Sequence, residues 1–175
     1  MRIGIIGPGE VGKYCERAKI SKEHYEEVVA RLAKSVADSG NEIIIAPDKG
    51  STSELFAQNY LSSNGRKVLE IVPLDDKQFG YEWINTGLGQ NINCGTWRNQ
   101  PETLCENSDV IICIGWGGGT LAEIYYTRWF GKVKRVYVVK ELIDGKLPKS
   151  LEATFKILEY IKAGSLEKKL KAGKI

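Results

Sequence analysis

Asp109-Val110-Ile111-Ile112-Cys113-Ile114-Gly115-Trp116-Gly117-Gly118-Gly119-Thr120-Leu121-Ala122-Glu123 is the stretch on which the reading of this chain turns. Its first part is an unbroken apolar run, the pattern of a strand buried on both faces. Three consecutive glycines follow, and a helix is expected from Thr120 to about Phe130. At such a junction free backbone N–H groups and the positive end of the helix dipole converge, so an anion can be held without any charged side chain. Glycine permits close approach of a phosphate and the positive φ angles a tight turn requires. Thr120 would cap the helix or donate to the anion. With Glu123 one turn further in, it could equally form a capping box, which is a purely structural reading. A carboxylate beside a phosphate is electrostatically unfavourable, so a functional Glu123 would face ribose hydroxyls.

Outward from this stretch, apolar runs rich in β-branched residues alternate with helical periodicity. Strands are expected at Ile3–Ile6, Glu42–Ala46, Lys67–Val72, Asp109–Ile114 and Arg135–Val139. Helices are expected at Lys22–Asp38, Ser53–Leu61, Thr120–Phe130 and Ser150–Ala163. In the long helix Tyr25, Val28, Val29, Leu32 and Val36 keep helical spacing, with Ser21 as N-cap and Gly40 just past its end. Strands that are apolar throughout and alternate with helices belong in a parallel sheet covered on both faces. The expected fold is therefore a single α/β domain over residues 1–175, a doubly wound, mostly parallel Rossmann-like sheet of order 3-2-1-4-5. Ligands bind such sheets where the winding direction reverses. Here that point lies between the strands Ile3–Ile6 and Asp109–Ile114, whose following loops carry Gly7-Pro8-Gly9 and Gly117-Gly118-Gly119.

Gly7-Pro8-Gly9-Glu10-Val11-Gly12 satisfies the G-x-G-x-x-G pattern of dinucleotide-binding loops, but its context does not. The true fingerprint runs directly into a helix, whereas the first persuasive periodicity starts near Lys22. The acidic residue at the end of the second strand, Asp48, lies 36 positions beyond Gly12, where about 20 is usual. The loop reads instead as a tight turn that lets a ligand or a neighbouring backbone approach the strand end, or as a turn with no role beyond structure. The segment from Pro73 to Pro101 lacks periodicity and contains Trp83, Trp97, Asn85, Asn91, Asn93 and Asn99. A stretch of that kind in a compact domain is usually a functional loop or a poorly ordered one, and ligand contacts could come from it.

Composition narrows the classes. Hydrophobic residues make up 42% and charged residues 27% of the chain, which excludes wholesale disorder. A net charge of +3 is too small to indicate nucleic acid, and much of it sits in the tail Lys168–Lys174, read as a solvated helix end. The four cysteines, Cys15, Cys94, Cys105 and Cys113, form no CxxC, and His24 is the only histidine. That is poor material for a metal centre, and no cofactor or metal is expected. No apolar run approaches the length of a membrane span, and the expected location is the cytoplasm.

The glycine stretch resembles the P-G-G-x-G-T-x-x-E motif of the LOG-like superfamily of phosphoribohydrolases, with Gly117, Gly119, Thr120 and Glu123 at its third, fifth, sixth and ninth positions. Within that superfamily it is similar to the branch that includes a molybdenum-cofactor carrier protein. The resemblance covers most of the chain in architecture, and in motif only this stretch. It implies a Rossmann-like fold, a nucleotide-like ligand whose phosphate sits on Gly117–Thr120, a catalytic Glu123, and self-association through helices into a homodimer or higher oligomer. Departures are visible. Gly115 and Trp116 stand where the motif opens with proline and glycine. The family's catalytic arginine projects onto Gln100, and the nearest arginine, Arg98, either takes that role on a shifted loop or is a surface residue. After the second strand, Ala46–Ser53 replaces a glycine-rich phosphate loop. Two functions follow: hydrolysis of the N-glycosidic bond of a nucleoside 5′-monophosphate, or carriage of a nucleotide or phosphorylated pterin without turnover. A third is association alone, through the aromatic side chains Tyr125, Tyr126, Trp129 and Phe130.

Overall fold

The computed structural model describes residues 1–77 and 81–172, so residues 78–80 of the irregular segment and 173–175 at the end of the basic tail lie outside the described residues. In chain order the elements are β1 (Arg2–Ile6), α1 (Val11–Ala18), α2 (Lys22–Asp38), β2 (Glu42–Ile45), α3 (Thr52–Ser62), β3 (Val68–Val72), β4 (Gln90–Asn93), α4 (Gln100–Asn107), β5 (Val110–Cys113), α5 (Gly118–Tyr126), β6 (Arg135–Val139), α6 (Lys149–Thr154), β7 (Leu158–Ile161) and α7 (Leu166–Ala172). Their strands form one sheet of order β4-β3-β2-β1-β5-β6-β7. Every pairing is parallel. The expected 3-2-1-4-5 order is its centre, with one further strand added at each edge.

Period-two alternation assigns the strand residues to two cores. Ile3, Ile5, Ile43, Ile45, Val110 and Ile112 pack with Tyr25, Val28, Leu32, Phe56 and Tyr60 from α2 and α3, and with Leu166 and Leu170 of α7. Ile6, Ile44, Ile111, Cys113, Val136 and Val138 pack on the other face with Leu104, Cys105, Ile124 and Leu151 from α4, α5 and α6. Side chains that point alternately to opposite faces must each find cover, and helices on both faces supply it. Every strand C-terminus therefore emerges at the same end of the sheet, which is where the loops converge.

Four expectations change. A helix, α1, does follow the first glycine loop directly, beginning at Val11. The region expected as a helix over Ser150–Ala163 divides into the short α6 and the strand β7, because Leu158–Ile161 pairs along β6 while Phe155 is buried in the second core and Ile157 packs against it. Helix α5 starts at Gly118 and ends at Tyr126. Beyond it the N–H groups of Thr127, Arg128 and Trp129 each bond the carbonyl three residues back, tightening the last turn. The irregular segment contains β4, docked by the fully buried Glu70, whose two carboxylate oxygens accept the amides of Leu88 (3.1 Å) and Gly89 (3.0 Å). The asparagines also shape turns there: Asn93 Oδ1 accepts from the amides of Leu74 and Gly95, and Asn99 Nδ2 donates to the Cys94 carbonyl.

Candidate functional site

At the C-terminal ends of β1, β2 and β5 lies a cleft of about 330 Å³. It stands at the reversal point of the sheet, between β1 and β5. Gly7, Pro8, Gly9, Gly117, Gly118, Gly119, Thr120 and Glu123 line it together. Trp97 and Gln100 come in from the irregular segment and the start of α4, and Asp48 and Ser53 from the loop after β2. Three helices, α3, α4 and α5, begin at this space, so three positive dipole ends border it. No lysine or arginine is among its lining residues.

At the start of α5 the cap residue Gly117 makes no side-chain capping bond, and the first amide bonded back is that of Leu121, to the Gly117 carbonyl at 3.0 Å. The N–H groups of Gly118, Gly119 and Thr120 have no acceptor among the described residues, and Gly118 and Gly119 are exposed. A Cβ added at Gly117, Gly118 or Gly119 would meet nothing within 4 Å. These glycines leave backbone donors uncovered. A positive φ is not their reason: the positive φ of this loop belongs to Gly115, at +79°, against the ring of Tyr14. Thr120 does not cap the helix either. Its Oγ1 donates to the Gly7 carbonyl at 3.1 Å and ties the two glycine loops together.

The first loop opens on a glycine of the opposite kind, Gly7, although Gly9 beyond it has open space around it. A Cβ on Gly7 would lie 2.6 Å from the Ile114 carbonyl oxygen and 2.8 Å from Thr52 Cβ, so this glycine is required by packing. Beneath it the Tyr25 hydroxyl donates to the Ile114 carbonyl (2.8 Å) and lies 2.7 Å from Thr52 Oγ1, and the Thr52 amide and hydroxyl both donate to the Pro8 carbonyl. Gly12, by contrast, has open space around its missing side chain. In a dinucleotide fingerprint the third glycine permits close helix–strand packing, and here no such packing occurs.

Glu123 is 9% exposed. It makes no capping box with Thr120, and instead its Oε1 accepts from Gln100 Nε2 at 2.8 Å. Burial, reinforced by the nearby Asp48 and partly offset by the Gln100 bond, pushes its carboxyl up to about 8. Asp48 is pushed up to about 6, by burial and then by Glu54. Both shifts express the cost of holding an anion out of water. At neutral pH Glu123 is mostly protonated and so can donate as well as accept. Arg98 is exposed and lies outside the lining, while its neighbours in sequence, Trp97 and Gln100, are part of it. Trp97 stands out in the sequence only as one aromatic of the irregular segment, and Gln100 carries no signal by residue type. The resemblance marks position 100, and only for an arginine.

A larger depression of about 680 Å³ lies beside α1, α2 and α3. Its charges are of both signs and pair locally, Lys13 with Glu10 at 2.6 Å and Lys22 with Glu26 at 3.5 Å, which leaves no field of one sign to select a ligand. Among the described residues no group of three or more His, Cys, Asp or Glu side chains could hold a metal ion, and no helix is long and apolar enough to cross a membrane.

No protein-family model matches the sequence, and no curated protein matches it. Solved structures do. The Moco carrier protein from Chlamydomonas reinhardtii superposes with a TM-score of 0.74 at 17% identity, over 98% of this chain and 97% of that one. The molybdenum cofactor binding protein from the phototrophic bacterium Rippkaea orientalis gives 0.74 at 19% identity, over 98% and 95%. Essentially end to end, the chain has the Rossmann-like fold of the molybdenum-cofactor carrier proteins.

Proposed function

We propose that this cleft binds a phosphate-bearing, nucleotide-like small molecule and holds it without cleaving it. The observation that carries the reading is the row of unpaired amides at Gly118, Gly119 and Thr120, opening into a cleft that contains no cationic side chain. Amides at a helix start recognise a phosphate through geometry and dipole. Neutral Glu123 tolerates the phosphate nearby, and with Gln100 it offers polar atoms to the rest of the ligand. Trp97 supplies a flat surface for a ring. The likeness to proteins described as molybdenum-cofactor carriers makes a phosphorylated pterin, alongside the nucleoside 5′-monophosphates, the ligand class to try. Carriage is favoured over cleavage because Glu123 engages Gln100 where the resembling hydrolases use an arginine, and Arg98 stands outside the lining.

One observation favours a second reading. A buried carboxyl with its pKa near 8 beside a phosphate cradle could give its proton to the base as the N-glycosidic bond breaks, while water adds at the sugar carbon and returns a proton to the carboxylate, yielding ribose 5-phosphate. One experiment separates the two. Nucleoside 5′-monophosphates are titrated into the protein by calorimetry and the same mixtures assayed for free base. Saturable binding competed by inorganic phosphate, with no base released, supports carriage. Base release that is lost in Glu123→Gln would establish the hydrolase, and failure of every phosphate-bearing probe to bind would remove both.

A further inference from the structure

We infer that the face at the C-terminal end of α5 docks another protein through a segment in which acidic residues flank apolar ones. Between the end of α5 and the α6–β7 connection runs a groove of about 460 Å³. Its floor is the outer edge of the second core, where Val133 and Phe155 are buried and Ile157 is half-buried, and its rim carries Arg128, Lys134 and Lys156. No aspartate or glutamate lines it. Among the described residues none of the three cations makes an ion pair, and all three are exposed. The Lys134 ammonium rests on the Gly131 carbonyl.

What sets the groove apart is the sign of its lining: the large depression beside α1, α2 and α3 mixes cations with carboxylates, whereas this groove carries cations alone. Arg128 follows the C-terminus of α5, where the helix dipole favours a cation, but Lys134 and Lys156 have no such partner. Aromatic surface adjoins the rim. Trp129 is 68% exposed, and Tyr125, 39% exposed, has its ring edge-on to Phe155 with centroids 5.5 Å apart. An apolar floor, exposed aromatics and a single-sign charged rim form the pattern of a recognition surface with a desolvated centre and a steering edge. The charge complement of that rim is acidic and the complement of the floor is apolar, which selects an acidic–apolar polypeptide. A nucleic acid would meet only three rim cations on a chain of net charge +3, too few to hold a phosphate backbone, and a second copy of this chain would have to bring the same cationic rim against itself. Since α5 has its N-terminus at the cleft and its C-terminus at the groove, a partner docked here would stand roughly 13 Å along one rigid helix from the ligand.

The test is a displayed library of random dodecapeptides selected against the folded protein and, in parallel, against Arg128→Glu/Lys134→Glu/Lys156→Glu, with circular dichroism confirming that the variant folds. Expected are peptides with Asp or Glu flanking Leu, Phe or Trp, which lose at least roughly tenfold in affinity on the variant. Peptides with no acidic excess, or equal binding to both proteins, would overturn the inference. So would a sedimentation shift showing that this face is taken by self-association, or a single-stranded oligonucleotide that displaces the peptides. If the triple variant fails to fold, Lys156→Glu alone, on the exposed α6–β7 connection, gives the same reading at smaller amplitude.

Discussion

The two glycine loops at the centre of the sheet use the same residue for opposite ends. Gly7 has no side chain because the protein fills the space: Ile114, Thr52 and, one layer deeper, Tyr25 close over it. Gly117, Gly118 and Gly119 have none, yet the space around each is vacant. Gly7 is thus a packed joint, while Gly9 beyond it is open like the three glycines after β5, and Thr120 bonds one loop to the other. Glycines in a sequence say that a side chain is excluded; only the neighbourhood says whether the protein or a ligand excludes it.

The contrast breaks first, and with the largest effect at neutral pH, at Gly7. Replacing it with valine places a branched side chain where even a Cβ would lie 2.6 Å from a backbone oxygen, and the strand ends cannot separate without tearing the sheet register. A loss of roughly 4 kcal/mol or more is expected, which in a domain of this size lowers Tm by about 8–16 °C. Thermal unfolding measures it directly. A Gly7→Val protein as stable as wild type would mean that the joint is not packed, and the difference between the loops would vanish.

Glu123 sharpens the contrast from the open side, with an effect that grows with pH. Its folded carboxyl titrates near 8 and its unfolded one near 4.5, so the folded state holds the proton more tightly. Stability from this group is therefore complete below about pH 4.5 and is lost progressively as pH rises from there through 8. Glu123→Gln should flatten that loss, leaving the variant more stable than wild type by on the order of 5 kcal/mol at pH 9, with little difference at pH 4.5. Denaturant unfolding at the two pH values checks both the sign and the window. Parallel pH profiles for the two proteins would mean that Glu123 is not held in the protonated, desolvated state on which its part in the cleft depends.

Much of this architecture is legible in the amino-acid sequence, and the gaps have physical causes. β1, β2, β3, β5 and β6 can be read because strands buried on both faces are apolar nearly throughout, the buried Glu70 of β3 being the exception. β4, Gln90-Asn91-Ile92-Asn93, cannot: an edge strand with mostly exposed side chains needs no apolar pattern, and it is placed by Glu70 from a distance in sequence. α1 does carry a signal, since Val11, Tyr14, Cys15 and Ala18 keep helical spacing and the first three are buried, but two turns of helix between charged residues are faint beside the long apolar stripe of α2. β7 reads as helix because Leu158-Glu159-Tyr160-Ile161 is too short to separate the two periods. In the cleft, the glycines and Glu123 are visible as residue types suited to phosphate chemistry. Gln100 is not, because a glutamine acquires meaning only from the buried carboxyl opposite it.

The smallest change in stability probes the difference between the loops most sharply. Gly119→Ala places a methyl group in the vacant space at the second position of α5. Within a helix alanine is favoured over glycine by roughly 0.5–1 kcal/mol, and no atom within 4 Å opposes it, so the variant should be as stable as wild type or slightly more so. The same methyl group would project from a residue that lines the cleft, next to the amides of Gly118, Gly119 and Thr120, and compete with a phosphate for that space. Affinity for adenosine 5′-monophosphate, or for whichever phosphate-bearing probe binds the wild type, should then fall about tenfold, equivalent to about 1.4 kcal/mol. A substitution that stabilises the fold and disables the site is the mark of a surface shaped for something outside the protein. If calorimetry instead finds binding intact while Tm drops, Gly119 belongs with Gly7 as a packing glycine, and the amides of α5 have no ligand to hold.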